Sequence, residues 1–430
     1  MSITSYALDL KPVRASRSFR HVWIGQTISR FGGQMSGFAL MYLVWVATRS
    51  PALVGLIGVI QGLALLVFGL VGGHVADIAN RKAILVASRV GQLVASCLIA
   101  ALVLTGTWHL PALFVLTAVS AALSAFAAPA DQTIAPRLLD PAQLPSGLAL
   151  MRVSSQIAIL TGPVIAGLVI STAGIGVCFV VDSVTFLAAL WGISAVPRQA
   201  AQPERRPDDP EDPDDPEYTV KGLRATVEGA RFLLGDKTLR SAALVDIAAT
   251  VLALPIAVFP AINAERFGGS PHTLSLMLPA IGLGGVVAGL MSGKLTGYPH
   301  QGRIMLISCL CWGGAIAAFG LSTNLAVALS FLVIAGAADT CTVIARGSLV
   351  QLSTPDRLRG RVSSIDYLIG AGGPSLGAMR AGLVADVTSG AISCITGGTA
   401  CAAVAIWMGL TSPNLRHWTI PRSAGQDPAE

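Results

Sequence analysis

The sequence predicts an all-α membrane protein with twelve spanning helices in two six-helix bundles. Three observations carry that prediction: an apolar composition, an alternation of charge between successive loops, and an internal repeat. Hydrophobic residues make up 53% of the 430 residues and charged residues only 12%. Soluble chains carry about 25% charged residues, so lipid is the solvent for most of this one. The 46 glycines suit helices that pack closely inside a membrane. The apolar runs are continuous and lack the alternation of a membrane β-barrel.

A helix needs about 20 apolar residues to cross the bilayer. Runs of that kind cover 21–47, 52–76, 83–106, 110–130, 147–172 and 175–196, then 240–263, 272–296, 303–321, 324–346, 362–386 and 391–411. They divide the chain into a tail (1–20), a first bundle (21–196), a connecting segment (197–239), a second bundle (240–411) and a second tail (412–430). Lys11, Arg14, Arg17 and Arg20 precede the first run. That run exceeds the roughly 7–15 apolar residues of a signal peptide, so it reads as the first span.

Loops leading from even to odd runs carry Arg81 and Lys82, then Arg137, then Lys294 and Arg303, then Arg357, Arg359 and Arg361. The second tail adds Arg416 and Arg422, while the opposite loops hold little beyond Arg49 and Arg266. Positive charge stays on the cytoplasmic side. Both tails and the connecting segment are therefore expected in the cytoplasm, with the bundles in the inner (plasma) membrane.

Within the connecting segment, 198–217 is rich in proline and acid and is expected to be an extended linker. Residues 219–237 then read as an amphipathic helix along the membrane surface, with Val220, Leu223, Val227, Phe232 and Leu234 on one face. The repeat spans both bundles. Pro141, Gly147, Val153-Ser154-Ser155, Gly162-Pro163 and Gly167 recur in order as Pro355, Gly360, Val362-Ser363-Ser364, Gly373-Pro374 and Gly377. Gly73 has a counterpart in Gly293. Parallel repeats of this kind are a transporter plan, with the ligand held near the midplane.

Charges inside spans cost at least about 2.5–3.5 kcal/mol each on insertion scales and so suggest a cavity. They are Arg30, Arg89, Asp182, Asp246, Asp339, Asp366 and Arg380. Arg30, with Gln26 one turn earlier on the same face, suits an anionic or catechol-rich substrate, and Arg380 is the equivalent candidate in the second bundle. Asp182, Asp246 and Asp366 are candidates for proton coupling, because removal from water favours the neutral acid. The alternative is structural pairing, such as Asp366 or Asp339 with Arg346. Arg346 and Asp386 lie near span ends, where long side chains snorkel.

The loop Gly-Gly-His-Val-Ala-Asp-Ile-Ala-Asn-Arg-Lys at 72–82 resembles the signature between helices 2 and 3 of the major facilitator superfamily. Gly73, Asp77, Arg81 and Lys82 match, whereas Ile78 stands where a basic residue is usual and Asn80 where a glycine is usual. The resemblance implies the major facilitator fold and a conformational latch, with Asp77 near the start of helix 11 around Arg361–Ser363. A carboxylate at such a helix start gains roughly 0.3–1 kcal/mol. Gly162-Pro163 with Gly167 is similar to the helix-5 hinge motif of drug/proton antiporters, with Ala166 replacing a glycine. A Gly-Pro pair frees a carbonyl and allows a kink, and the alternative is simple helix packing. The arginine typical of helix 4 in proton-coupled antiporters is missing between Leu113 and Pro129.

Within the superfamily the chain resembles the enterobactin-exporter branch. The likeness rests on Phe19-Arg20, Trp23, Gln26 and Ser29, on Leu274 to Lys294 with Gly302-Arg303, on Thr354-Pro355 to Gly360-Arg361-Val362, and on Leu415-Arg416-His417. Gly33 departs from it, since many relatives carry an acid there. The resemblance implies export of a catecholate-like siderophore or a similar small amphipathic molecule, by proton-coupled rocking of the halves. Alternatives are broad multidrug or macrolide efflux and, in another class, a non-transporting membrane sensor. The expected partners are a small-molecule substrate, protons and the lipid bilayer, with no nucleic acid, and the chain is expected to be a monomer. No cofactor or metal is expected. Cys97, Cys178, Cys309, Cys311, Cys341, Cys394 and Cys401 are scattered within apolar runs and read as core residues. An enzyme is disfavoured, as no nucleophile–base pair, metal cluster or phosphate loop is evident.

Overall fold

The computed structural model describes residues 9–134, 136–197, 202 and 227–420, with the side chains of Leu70, Asp77, Lys294, Thr296 and Ser364 outside that description. The expected acidic linker and the first half of the amphipathic helix therefore lie outside the described residues. Those described form helices and no strand. Ten helices among them are long and apolar enough to cross a membrane by length and composition.

The long helices are α1 (Arg17–Thr48), α2 (Pro51–Ile78), α3 (Arg81–Thr105), α4 (Leu110–Ile134), α5 (Leu144–Ala173), α6 (Ile175–Ser194), α7 (Lys237–Arg266), α8 (Pro271–Leu290), α9 (Gln301–Leu321), α10 (Leu325–Ser353), α11 (Asp356–Val387) and α12 (Gly390–Thr411). The two outside the ten, α1 and α11, run 32 residues each and hold several of the charged residues discussed above. The chain divides into two compact units, 1–210 with 268–279, and 211–267 with 280–430.

Helix starts follow from local chemistry. Ser16, Ser50, Asn80, Asn324 and Ser389 each accept a backbone N–H in the first turn of α1, α2, α3, α10 and α12, satisfying donors that have no intrahelical partner. Asn80 thus takes the N-cap of α3 where the family signature expects a glycine. Large apolar side chains such as Leu63, Val115, Leu168, Leu187, Ile307 and Leu410 are exposed, which suits helices surrounded by lipid rather than water.

In the first unit α1 packs on α5 and α6, α2 on α4, and α3 on α4 and α6. A buried apolar cluster of Val22, Ala76, Ile84, Leu85, Ala127, Ala130, Ile134, Ile193 and Val196 gathers one end of α1, α2, α3, α4 and α6. In the second unit α9 packs on α10 and α12, and α11 on α7 and α12.

Five expectations change. Span 7, expected to be continuous over 240–263, is broken: α-helix Lys237–Ile247 passes into a π turn, Ala248–Leu252, then a short 3-10 turn, Ile256–Val258, and resumes at Phe259–Arg266. Pro255 and Pro260 lack the N–H that a continuous helix needs, and neighbouring side chains reach carbonyls beside the break. Trp312 Nε1 donates to Ala249 O at 3.1 Å, and Arg380 Nη2 donates to Leu252 O. Helix α10 runs to Ser353 and α4 to Ile134, beyond the expected ends at 346 and 130. Helix α11 begins at Asp356, before Arg361. In the connecting segment 227–235 is helical, but Gly229 and Leu233 face inward while Val227 and Leu234 are exposed. A side chain at Gly229 would meet the Arg361 backbone, and Arg361 pairs with Glu228, so contact with α11 sets that face.

Candidate functional site

The first unit encloses a cavity of about 600 Å³ lined by all six of its long helices, α1 to α6. Its polar wall is unusual for an apolar bundle, with Gln26, Arg30, Gln61, Arg89, Gln92, Ser96, Asp131 and Asp182 all on it. The volume lies within the range of small-molecule sites.

These groups are tied together across helices. Gln26 Nε2 on α1 donates to Asp131 Oδ1 on α4 at 2.8 Å. Arg89 on α3 pairs with Asp131 Oδ2 at 3.4 Å and donates to Gln92 Oε1 at 2.9 Å. Arg30 donates to the Met151 carbonyl of α5 at 3.1 Å and forms no ion pair in contact among the described residues, with the Asp131 carboxylate acting on it from farther off. One face of its guanidinium is thereby anchored, and the other N–H groups of its fork are open to an acceptor on a ligand. Asp182 on α6 accepts from Ser96 Oγ at 3.0 Å, and its other oxygen has no hydrogen-bond partner.

Of the predicted binding residues, the cavity brings together Gln26 and Arg30 and excludes Arg380. Arg380 instead reaches the backbone of α7 at Leu252, and a side chain at Gly397 would strike both groups. Its surroundings make it a cap for the broken helix.

The predicted proton-coupling acids separate in the same way. Asp182 lines the cavity, whereas Asp246 and Asp366 both face Arg346. Asp246 Oδ2 accepts from Arg346 Nη1, and Asp366 Oδ1 lies 3.6 Å from Arg346 Nε. Arg346 is only 9% exposed. It does not snorkel, because the longer α10 carries it away from the helix end. Asp339 lies seven residues earlier on the same helix, a spacing that returns to the same face.

At the hairpin, Arg81 is buried and its Nε donates to Ala76 O at 3.1 Å. Lys82 Nζ donates to Ser194 O and Val196 O, both at 2.8 Å, placing a cation at the C-terminal end of α6, where it is favourable. Both basic residues thus secure helix ends. The Asp77 side chain lies outside the described residues. Gly73 has open space where a side chain would stand, while its neighbour Gly72 meets the Phe126 backbone of α4. The close helix contact here belongs to Gly72.

Gly162 and Pro163 are buried inside a continuous α5. A side chain at Gly162 would strike Gln34 on α1, and one at Gly167 would strike Ser275, so both glycines serve close packing.

Asp131 lies one residue beyond the expected end of span 4 at 130 and so escapes a reading of the sequence. Pro129, which ordinarily marks a helix end, lies inside α4, so the span reads as ending too early. Gln92 and Ser96 were missed as well, since uncharged polar residues carry little hydropathy signal.

The chain matches the family model described as transmembrane secretion effector over residues 8–423. It is 25% identical to the enterobactin exporter EntS of Escherichia coli K12 over 440 aligned residues, covering 99% of this chain and 100% of that protein. The enterobactin exporter EntS of Shigella boydii serotype 4 is 25% identical over 393 residues, with 89% and 88% covered. Among solved structures, a POT family transporter in complex with 5-aminolevulinic acid has a TM-score of 0.74 at 13% identity, covering 93% of this chain and 97% of that one. The nucleoside transporter NupG has a TM-score of 0.69 at 14% identity, covering 91% and 98%. These last two are likenesses of fold. The chain is a multi-pass membrane protein and belongs to the transmembrane secretion effector family of the major facilitator superfamily.

Proposed function

We propose that this protein is a secondary active exporter of a catecholate-like siderophore or a similar small amphipathic molecule, working by proton-coupled alternating access. The observation that carries the reading is the polar cavity of about 600 Å³ with Arg30 held by a backbone carbonyl and in contact with no carboxylate. An oriented guanidinium in such a site recognises anionic and catechol oxygens through charge-assisted hydrogen bonds. The full-length likeness to enterobactin exporters supports the cargo and the direction.

The reading includes twelve spans in two six-helix bundles, 21–196 and 240–411, counting α1 and α11, in the inner membrane with both termini cytoplasmic. Gln26 and Arg30 are the substrate residues, with Arg380 a second-bundle candidate of lower rank because it is engaged by α7. Gly73, Asp77, Arg81 and Lys82 form the latch, and Gly162, Pro163 and Gly167 the helix-5 hinge. Asp182, Asp246 and Asp366 are the candidate acids from which the proton-coupling group is drawn, and the protein acts as a monomer.

The test is deletion of the gene followed by measurement of siderophore in the medium against the cell. Retention in the deletion strain, reversed by the intact gene and not by Asp77→Asn at equal expression, is expected. Normal secretion by the deletion strain removes the siderophore reading, and near-normal export by Asp77→Asn removes the latch.

A further inference from the structure

Asp182 lies on α6 in the cavity wall and is only 6% exposed. The hydroxyls around it are committed. Ser96 Oγ lies 3.0 Å from Oδ2 and donates to it. Ser183 Oγ donates to Phe179 O at 2.8 Å, and Thr185 Oγ1 donates to the Asp182 carbonyl at 2.7 Å. Oδ1 is left with no hydrogen-bond partner. Helix α1 closes over it at Gly32, where an added Cβ would stand 3.0 Å from Oδ1, and brings the neutral Ser36 hydroxyl toward the carboxyl group but no cation.

The charged groups sharing the cavity are Arg30 from α1, Arg89 from α3 and Asp131 from α4. The linings from α2 and α5 are uncharged, namely Gln61, Leu65, Ser155 and Ala158. Arg30 is held on Met151 O and Arg89 on Asp131 and Gln92. Neither forms an ion pair with Asp182. A carboxylate buried among neutral hydroxyls with no counter-ion is strongly disfavoured, and such a group neutralises instead. Asp246 and Asp366 differ, since each has Arg346 as a resident cation.

We propose that Asp182 is the proton-binding site of this transporter, and that Asp246 and Asp366 are the fixed counter-ions of Arg346. A hydronium ion in the cavity transfers one proton to Oδ1 and leaves as water. The reverse step returns the proton to cavity water when the site faces the other compartment. The site can be tested without transport; only its role in coupling rests on the export reading.

The full chain is reconstituted in lipid, and infrared difference spectra are recorded between mildly acidic and alkaline pH, where exposed carboxyl groups stay ionised. A protonated-carboxyl stretching band is expected in the wild type and in Asp246→Asn, Asp366→Asn and Asp339→Asn, and its loss in Asp182→Asn. Persistence of the band in Asp182→Asn, or its loss in one of the other three, overturns the assignment. Ser96→Ala covers the case in which Asp182→Asn does not fold. Loss of the hydroxyl on Oδ2 is expected to shift the band frequency, and an unmoved band counts against Asp182. In vesicles, enterobactin accumulation driven by a pH gradient is expected to vanish in Asp182→Asn, and undiminished accumulation overturns the coupling role. If the wild type moves no enterobactin, the cargo reading fails while the infrared band still decides the site.

Discussion

The two units carry versions of one repeat and treat their charges in opposite ways. In the first, two arginines and two aspartates surround a cavity, and among these four only Arg89 and Asp131 pair with each other. In the second, Asp246, Arg346 and Asp366 close on one another, and Arg380 is bound to the backbone of α7. The glycine notches are used alike. Gly162 and Gly167 meet Gln34 and Ser275, and Gly373 and Gly377 meet Thr250. The repeated glycines therefore make close helix contacts in both units, and the charged chemistry comes from polar residues that the two halves do not share.

The most damaging single change is expected to be Arg346→Ala. It leaves two acids without their cation, a situation that costs about 3–5 kcal/mol. A thermal melt of the purified protein reads the loss, and a variant as stable as wild type erases the contrast between the units. Combining Asp246→Asn with Arg346→Gln is expected to cost less than the two changes summed, as a double-mutant cycle of coupled residues requires.

Arg30→Ala comes next. A hydrogen bond to a charged group contributes about 1.5–3 kcal/mol, so export of an anionic substrate is expected to fall tenfold or more while a cationic dye is less affected. Equal loss for both reassigns Arg30 to folding. For the scaffold the two units share, Gly72→Ala forces a methyl group onto the α4 backbone and is expected to lower stability by about 1–3 kcal/mol. Gly73→Ala is expected to change the melt little, having open space around it. A reversal of that order sinks the packing account of the hairpin. Lys82→Met is expected to have the smallest effect, about 0.3–1 kcal/mol from the helix-end charge, measured in the same melt at low salt.

Much of the fold was legible because lipid leaves a continuous apolar run few alternatives to a helix. Boundaries were less legible. Arg346 and Asp131 were placed at or beyond span ends, because a fall in hydropathy looks the same whether a helix stops or lines a polar cavity. The break in α7 was signalled by Pro255 and Pro260, yet prolines also sit inside continuous α4 and α5. Which proline breaks a helix depends on the packing around it, which hydropathy does not encode.

By itself the sequence determined the membrane class, the approximate number and order of the helices, the repeat, and the acids and arginines that burial makes costly. Those follow from composition and period, which act locally along the chain. Only the tertiary structure decided that Asp246 and Asp366 share Arg346, that Lys82 caps α6, that Arg380 holds a broken helix, and that Asp182 faces a cavity without a counter-ion. Pairing depends on which faces meet across helices about a hundred residues apart, and neither hydropathy nor charge along the chain encodes that distance.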